Sequence, residues 1–262
     1  MKLDDLMVSR AILDTYHDKL KSSLDVDVAV VGGGPAGLMA ALRLAQKKIK
    51  VSLYERKLSL GGGMWGGGIM FNKIVVQEEA RSILKELGVR LQPYKKGYYV
   101  ADSLETVGAL VYQAAHAGVL IFNLMSVEDL KVDKNNIPNG LVINWSSVDL
   151  ANLHVDPITI GAKFILEATG HACEVAHIVL KRIGKKLTTP TGDIVGEGSM
   201  NADVSERAIE KNTKEFYHNI YAVGMAANAI FGEKRMGPIF GGMLLSGQKA
   251  ASLVARRLGK SK

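Results

Sequence analysis

The 262-residue sequence has one cysteine, Cys173, and no long apolar run. A single cysteine excludes an intrachain disulfide and favours a reducing compartment, so we predict a cytoplasmic protein. No apolar stretch reaches the roughly 18 residues that a membrane-spanning helix needs, so we expect no membrane partner. Asp4 and Asp5 lie where a secretory signal would carry basic residues, which argues against a signal peptide.

The chain also lacks any concentrated block of positive charge, although its formal net charge is +7. A nucleic-acid-binding surface is expected to gather Lys and Arg on one element, so the scattered pattern predicts no nucleic-acid partner. An anionic small ligand accounts for a positive balance equally well. The basic pairs are Lys47-Lys48, Lys95-Lys96, Lys185-Lys186 and Arg256-Arg257.

The hydrophobic pattern predicts one α/β domain. Residues 26–31 and 50–55 are typical of strands, and residues 38–46 between them of a helix. Such a βαβ unit predicts a parallel sheet with right-handed crossovers. Further strands are predicted at 119–123, 162–168 and 220–223, and helices at 3–20, 76–87, 104–117, 173–183 and 243–258. Residues 126–148 alternate like an inserted antiparallel hairpin, whereas residues 184–205 show no clear period.

The turn after the first strand contains Gly32, Gly34 and Gly37. Between a strand and a helix, these glycines permit a tight turn and a close approach to a pyrophosphate at the helix N-terminus. Glu55 lies 18 residues after Gly37, where a carboxylate accepts from ribose hydroxyls and repels a 2′-phosphate. NAD or FAD is therefore favoured over NADP, although Arg56 opposes this discrimination. The alternative is a glycine turn without a ligand.

The frame resembles the FAD/NAD-binding reductase superfamily, which implies a Rossmann-like parallel sheet with an inserted antiparallel β element. Two further stretches fit this superfamily, 167–170 and 221–224. Flavoenzymes of the group usually carry Asp after the second stretch, and here that residue is Met225. This departure favours NAD over a tightly bound flavin.

His154 and Asp156 lie in extended chain before Pro157, so both side chains face the same way. His171 follows a predicted strand, at the sheet edge where ligands bind. Two imidazoles and one carboxylate suit a divalent transition metal such as iron. The alternative from these residues alone is a polar loop bonded to backbone.

Together, these residues resemble the thiamine thiazole synthases, and their archaeal branch in particular. The resemblance implies that NAD is a consumed co-substrate, which reacts with glycine and sulfide, with Fe(II) as cofactor, to an ADP-thiazole carboxylate. It also implies a homo-octamer whose sites are shared between subunits. The matching stretches are 31–37, 54–57, 61–70, 153–157, 168–171, 223–225 and 235–243.

The resemblance implies roles for individual residues. His154, Asp156 and His171 are the expected catalytic residues, with Asp156 and His171 as iron ligands. Arg235 is expected to bind the glycine carboxylate. Eukaryotic relatives have a sulfur-donating cysteine at the position of His154, so His here implies a multi-turnover enzyme. The expected NAD contacts are Gly32, Gly34, Ala36, Gly37, Glu55, Arg56, Gly63, Val127, His154 and Met225.

Three alternatives stay open at this point. Cys173, close to His171, is either a second sulfur source or a small buried thiol in a helix. The chain is alternatively a FAD-dependent oxidoreductase of the same superfamily. A non-catalytic NAD-binding sensor is the third interpretation.

Overall fold

The computed structural model describes residues 3–259, which form an α/β fold. Its strands are β1 (Asp25–Val31), β2 (Val51–Glu55), β3 (Lys73–Gln77), β4 (Gln92–Lys95), β5 (Tyr98–Asp102), β6 (Leu120–Asn123), β7 (Met125–Val132), β8 (Pro138–Trp145), β9 (Ile158–Glu167), β10 (Glu215–Tyr217) and β11 (Ile220–Ala222). Its helices are α1 (Asp5–Ser22), α2 (Pro35–Gln46), α3 (Glu78–Glu86), α4 (Ser103–His116), α5 (Ser146–Leu150), α6 (Glu174–Arg182), α7 (Ala202–Asn212), α8 (Met225–Phe231) and α9 (Gly241–Arg257).

The central sheet is built around β1, which pairs in parallel with β2 on one side and β9 on the other. β6 extends the sheet beyond β2, and β11 extends it beyond β9, again in parallel. β10 then pairs antiparallel with β11. This arrangement confirms the predicted Rossmann-like parallel sheet.

The predicted hairpin is also confirmed. β7 and β8 pair antiparallel, and β8 pairs antiparallel with the first residues of β9, so the insertion extends the main sheet. Asp133 shapes the turn, because its Oδ1 accepts from the N–H groups of Asn135 (2.8 Å) and Ile137 (2.9 Å). An Asp that bonds to backbone two residues ahead is a frequent turn former.

The core lies on both faces of the sheet. Val28 and Val30 of β1 pack in one buried cluster with α2, α4 and α9, whereas Ala29 and Val31 pack in the other with α6, α8 and the hairpin. Successive strand residues point to opposite faces, so a strand covered on both sides needs an unbroken apolar run. The apolar run of β1 meets this requirement.

A second, antiparallel sheet in the order β3-β5-β4 is not predicted by the sequence pattern. Residues 76–87 are predicted as one helix, but 76 and 77 end β3 and the helix begins at Glu78. Ile74 and Val76 are buried at alternate positions of β3. A five-residue strand joined directly to a helix offers too short a period-2 pattern to stand out.

α7 lies partly in the stretch predicted to lack a period. Ser205, Ile209 and Asn212 are its buried residues, and they are spaced as one helix face. Two of the three are polar, so the buried face gives no hydrophobic period. Their polar groups are bonded internally; Asn212 Nδ2, for example, donates to Asn228 Oδ1 at 3.0 Å.

The predicted N-terminal helix is observed as α1, and Asp4 caps it by accepting from the N–H of Leu6 at 3.0 Å. None of its residues is buried. Within residues 3–259, no helix has both the length and the apolar character needed to cross a membrane.

Candidate active site

A cavity of about 1340 Å³ opens at the sheet edge where the parallel strands end. Its lining includes Val31 of β1, Glu55 of β2, Ala168 just after β9 and Val223 just after β11. Open α/β sheets bind ligands at the carboxyl ends of their strands. The volume exceeds the roughly 300–1,000 Å³ of ordinary small-molecule pockets, so a dinucleotide and a second substrate fit together.

The glycine turn forms one wall of this cavity. Gly32 has a φ of +103°, and a Cβ there would lie 2.4 Å from the carbonyl oxygen of Ala168. A Cβ on Gly37 would lie 2.1 Å from the carbonyl oxygen of Gly32, whereas Gly34 has open space beside it. Gly32 and Gly37 therefore allow strand and helix to pack closely, while Gly34 leaves the N-terminus of α2 accessible. No side chain of residues 3–259 caps that N-terminus, so its N–H groups are available to a phosphate.

Glu55 is held against this turn. Its Oε2 accepts from the N–H of Gly33, and its Oε1 accepts from the N–H of Lys57, both at 2.8 Å. A carboxylate accepts about four hydrogen bonds, so Glu55 retains capacity for ribose hydroxyls. Arg56 forms an ion pair with Glu174, so its guanidinium already has a carboxylate partner. This pairing weakens the argument that Arg56 favours a 2′-phosphate.

Most positions predicted to contact the dinucleotide line the cavity. They are Gly32, Gly34, Ala36, Glu55, Arg56, Gly63, Val127 and Met225. Gly37 lies behind the wall, where it serves the packing described above. Met225 begins α8 directly after Gly224, at the position where flavoenzymes of this fold carry Asp.

His171 reaches the cavity from a short turn between β9 and α6. The buried carboxylate of Glu167 holds this turn in place by accepting from the N–H groups of Thr169 (2.8 Å), Val175 (2.5 Å) and Ala176 (3.2 Å). These bonds satisfy N–H groups at the start of α6, which otherwise lack partners. The Nδ1 of His171 contacts the carboxylate of Glu197.

Glu197 and Arg235 also line the cavity, on two segments that are bonded to each other. The N–H of Gly198 donates to the carbonyl of Glu233 (3.0 Å), and the N–H of Arg235 donates to the carbonyl of Gly198 (3.2 Å). The N–H of Asn201 then donates to the carbonyl of Arg235 (3.0 Å). This backbone ladder fixes the spacing between the carboxylate beside His171 and the guanidinium of Arg235.

His154 and Asp156 lie apart from the cavity lining. They belong to an exposed segment between α5 and β9, and the carbonyl of Val155 between them accepts from Asn144 Nδ2 at 3.2 Å. Residues 3–259 contain no group of three His, Cys, Asp or Glu side chains arranged to hold a metal. One chain thus brings His171, Glu197 and Arg235 together, but not Asp156.

Cys173 is buried and lies outside the cavity lining. Burial is the main cause that raises the pKa of its thiol, and the negative charges of Glu167 and Glu197 act in the same direction. Sulfur donation requires a thiolate, which this environment disfavours. The structure therefore favours the interpretation of Cys173 as a small buried thiol.

Sequence reasoning missed Glu197, which lies between Gly196 and Gly198 in the stretch without a period. An acidic residue between two glycines is a weak signal, since it is typical of any solvated loop. The contact between Glu197 and His171, 26 residues apart, depends on how the loops fold back over the sheet edge.

Comparisons with known proteins agree with this geometry. The chain matches the Thi4 family over residues 9–240. The thiamine thiazole synthase of Methanothermobacter thermautotrophicus is 55% identical over 258 residues, which cover 98% of this chain and 100% of that protein. The thiamine thiazole synthase of Pyrococcus horikoshii is 48% identical over 256 residues, covering 98% and 99%.

Solved structures show the same relationship. The crystal structure of THI4 from Thermovibrio ammonificans has a TM-score of 0.97 and 47% identity, and covers 98% of this chain and 100% of that one. A probable FAD-dependent monooxygenase, pqsL from Pseudomonas aeruginosa, has a TM-score of 0.55 at 12% identity, covering 90% and 86%, and shares the fold alone. The family match over most of the chain confirms the resemblance seen in the sequence: this chain belongs to the Thi4 family.

Proposed function

We propose that this chain is a thiamine thiazole synthase that converts NAD, glycine and sulfide into an ADP-thiazole carboxylate and releases nicotinamide. The observation that carries the proposal is a single cavity with a dinucleotide turn on one wall and His171, Glu197 and Arg235 on another. The relatives that match along their whole length carry the name thiamine thiazole synthase. Their names support the reaction, and the cavity supports the substrates.

The NAD in this proposal lies along the glycine turn. The N-terminus of α2 binds its pyrophosphate, and Glu55 accepts from ribose hydroxyls. Loss of nicotinamide builds positive charge on the ribose, as in glycoside cleavage. Met64, Met236 and Phe240 are buried apolar residues of the lining, and they limit the access of water to the opened sugar.

Arg235 would bind the second substrate. A guanidinium pairs with a carboxylate through two parallel hydrogen bonds, so it fixes both the position and the orientation of glycine. The backbone ladder holds Arg235 in register with Glu197. The glycine amine is then directed towards the ketone of the opened ADP-ribose, with which it condenses before sulfur addition, ring closure and dehydration.

The residues around His171 fit a metal ion. The imidazole lines the cavity, and the Oε1 of Glu197 is buried without a hydrogen-bond partner in the described chain. Imidazole and carboxylate donors suit ferrous iron. When bound, ferrous iron would supply Lewis-acid polarisation and a point of attachment for sulfide. Because one chain does not place Asp156 in the cavity lining, we propose that Asp156 reaches the metal of a neighbouring subunit.

A shared site requires an assembly, and α1 supports one. Leu6, Met7 and Ile12 are 71%, 59% and 62% exposed, although they lie on one side of an amphipathic helix. Exposed apolar faces of this kind mark contacts with other chains. We propose that a second copy of this chain covers α1 within a homo-octamer.

An anaerobic assay tests the reaction. The protein is incubated with NAD, glycine, ferrous iron and sulfide, and the products are analysed by mass spectrometry. We expect an adenylated thiazole and free nicotinamide, and neither product with His171→Ala. Unchanged NAD would instead support a non-catalytic NAD-binding protein. Stoichiometric FAD in the purified protein would support the flavin-dependent alternative.

The multi-turnover character has its own test. His154→Cys places a thiol where relatives that sacrifice their own sulfur carry cysteine. We expect this variant to form at most one product per chain when sulfide is omitted, detected as a mass loss of one sulfur atom. Wild-type protein should form many products per chain when sulfide is present. Equal cycling of both proteins with sulfide, together with an unchanged mass of the variant chain without it, would contradict the role of His154.

A further inference from the structure

Glu197 controls the environment of the His171 imidazole. Its Oε2 contacts the Nδ1 of His171, and its side chain is 15% exposed, against 45% for the histidine. An ionised carboxylate has only acceptor atoms, so the hydrogen of this contact belongs to Nδ1. That assignment holds for the neutral ring and for the imidazolium alike.

The backbone around Glu197 is bonded on both sides, which makes its position independent of a bound ligand. The N–H of Gly196 donates to the carbonyl of Ala229 at 2.9 Å, and the N–H of Gly198 donates to the carbonyl of Glu233 at 3.0 Å. The turn of His171 is held separately by the buried Glu167. Two independently fixed segments therefore meet at the contact between the carboxylate and the imidazole.

We infer that Glu197 is a positioning residue that sets the tautomer and the orientation of His171, so that Nε2 is the atom presented to the metal. A ring with its hydrogen on Nδ1 carries its free electron pair on Nε2. Carboxylates that bind the far nitrogen of a ligating histidine fix the ring and raise its basicity. The inference rests on the proposed function, which places ferrous iron at His171.

The first test needs no metal. Magic-angle-spinning 15N spectra of histidine-labelled protein at alkaline pH report the tautomer of each ring, whatever the size of the assembly. The spectrum of His171→Asn identifies the His171 signal among the six histidines. We expect the Nδ1–H tautomer in the wild type and in the control Glu210→Ala, whose glutamate is exposed on α7. Glu197→Ala should lose that preference, and an unchanged tautomer in this variant overturns the inference.

The second test measures affinity for Co(II), whose visible absorption reports coordination. We expect Glu197→Ala to bind Co(II) about 10–100-fold more weakly than the wild type, and Glu210→Ala to bind it equally well. Glu197→Gln keeps the side-chain volume and one acceptor oxygen, so it should lose less. This variant also carries the test if Glu197→Ala does not fold, which circular dichroism shows.

The outcomes separate the two proposals. If His171→Ala leaves Co(II) binding unchanged, the metal site itself is wrong, and the inference falls with it. If binding depends on His171 but is equally tight in Glu197→Ala, only the role of Glu197 is wrong. Weaker binding together with the altered tautomer supports positioning rather than direct ligation, because the tautomer is measured without metal.

Discussion

Glu206 on α7 places a carboxyl group against the first turn of α9, which follows the loop of Arg235. Its Oε2 accepts from Gln77 Nε2 and from the N–H of Gly242, both at 2.7 Å. The Oε1 atoms of Glu206 and Gln77 are both buried without a partner in the described chain. Burial raises the pKa of Glu206 to about 7, although its two hydrogen bonds act in the opposite direction.

This raised pKa predicts a pH-dependent stability. An unfolded glutamate loses its proton near pH 4.3, whereas folded Glu206 keeps it until about pH 7, so stability falls as pH rises through this window. Glu206→Gln removes the ionisation. We expect the free energy of unfolding of the variant, relative to the wild type, to grow by about 2 kcal/mol between roughly pH 5 and pH 8.

Urea unfolding at both pH values measures this difference. Glu210→Gln, on the exposed side of the same helix, is the matched control and should show no such growth. A difference for Glu206→Gln that is equal at both pH values would mean that folded Glu206 ionises like an exposed carboxyl.

At the scale of elements, the crossing of α2 and α9 supports the dinucleotide turn. A Cβ on Gly247 of α9 would lie 2.4 Å from the carbonyl oxygen of Ala36 and 2.9 Å from the Cβ of Met39. The neighbouring Ser246 accepts from the N–H of Gly224 at 2.7 Å, which ties α9 to the turn before α8. α9 therefore packs directly on the first turns of α2, where the phosphate is expected.

Two glycine substitutions test this crossing. Gly247→Ala should lower the free energy of unfolding by about 1–3 kcal/mol, because the backbone of α2 must move. Gly108→Ala is the matched control, since Gly108 lies in α4 and a Cβ there would meet no neighbouring atom within 4 Å. That variant should be more stable by about 0.5–1 kcal/mol, from helix propensity alone. Equal effects in urea unfolding would show that the crossing is looser than described.

At the scale of the whole molecule, the separation of Asp156 from the cavity predicts that subunits complement one another. Asp156→Ala and His171→Ala should each be inactive alone. In mixed assemblies, a site that takes His171 from one subunit and Asp156 from another is intact when each comes from the other variant. Random mixing therefore restores roughly a quarter of the wild-type activity.

The experiment co-expresses the two variants with different affinity tags and assays assemblies that carry both. Mixing after purification, without subunit exchange, is the control and should stay inactive. Inactive mixed assemblies would place both residues in the site of a single chain, or remove one of them from the site.

The elements with continuous local patterns are predictable from the sequence. β1, the glycine turn and α2 follow one another without a break along the chain, so their strand, turn and helix signals reinforce one another. Glu55 and His171 are also predictable as cavity residues, because both lie at or just after the ends of parallel strands, which meet at one edge of the sheet.

The sequence by itself determined the parallel sheet, the dinucleotide turn and the family, because these depend on periodicity and on motifs read over short stretches. Only the tertiary structure decided the second sheet, α7 and the pairing of Glu197 with His171. The face that α7 buries is largely polar, and Glu197 is held by a backbone ladder to residues far along the chain. Such hydrogen bonds between distant segments leave no periodic trace in the chain, since either partner alone is typical of a solvated loop.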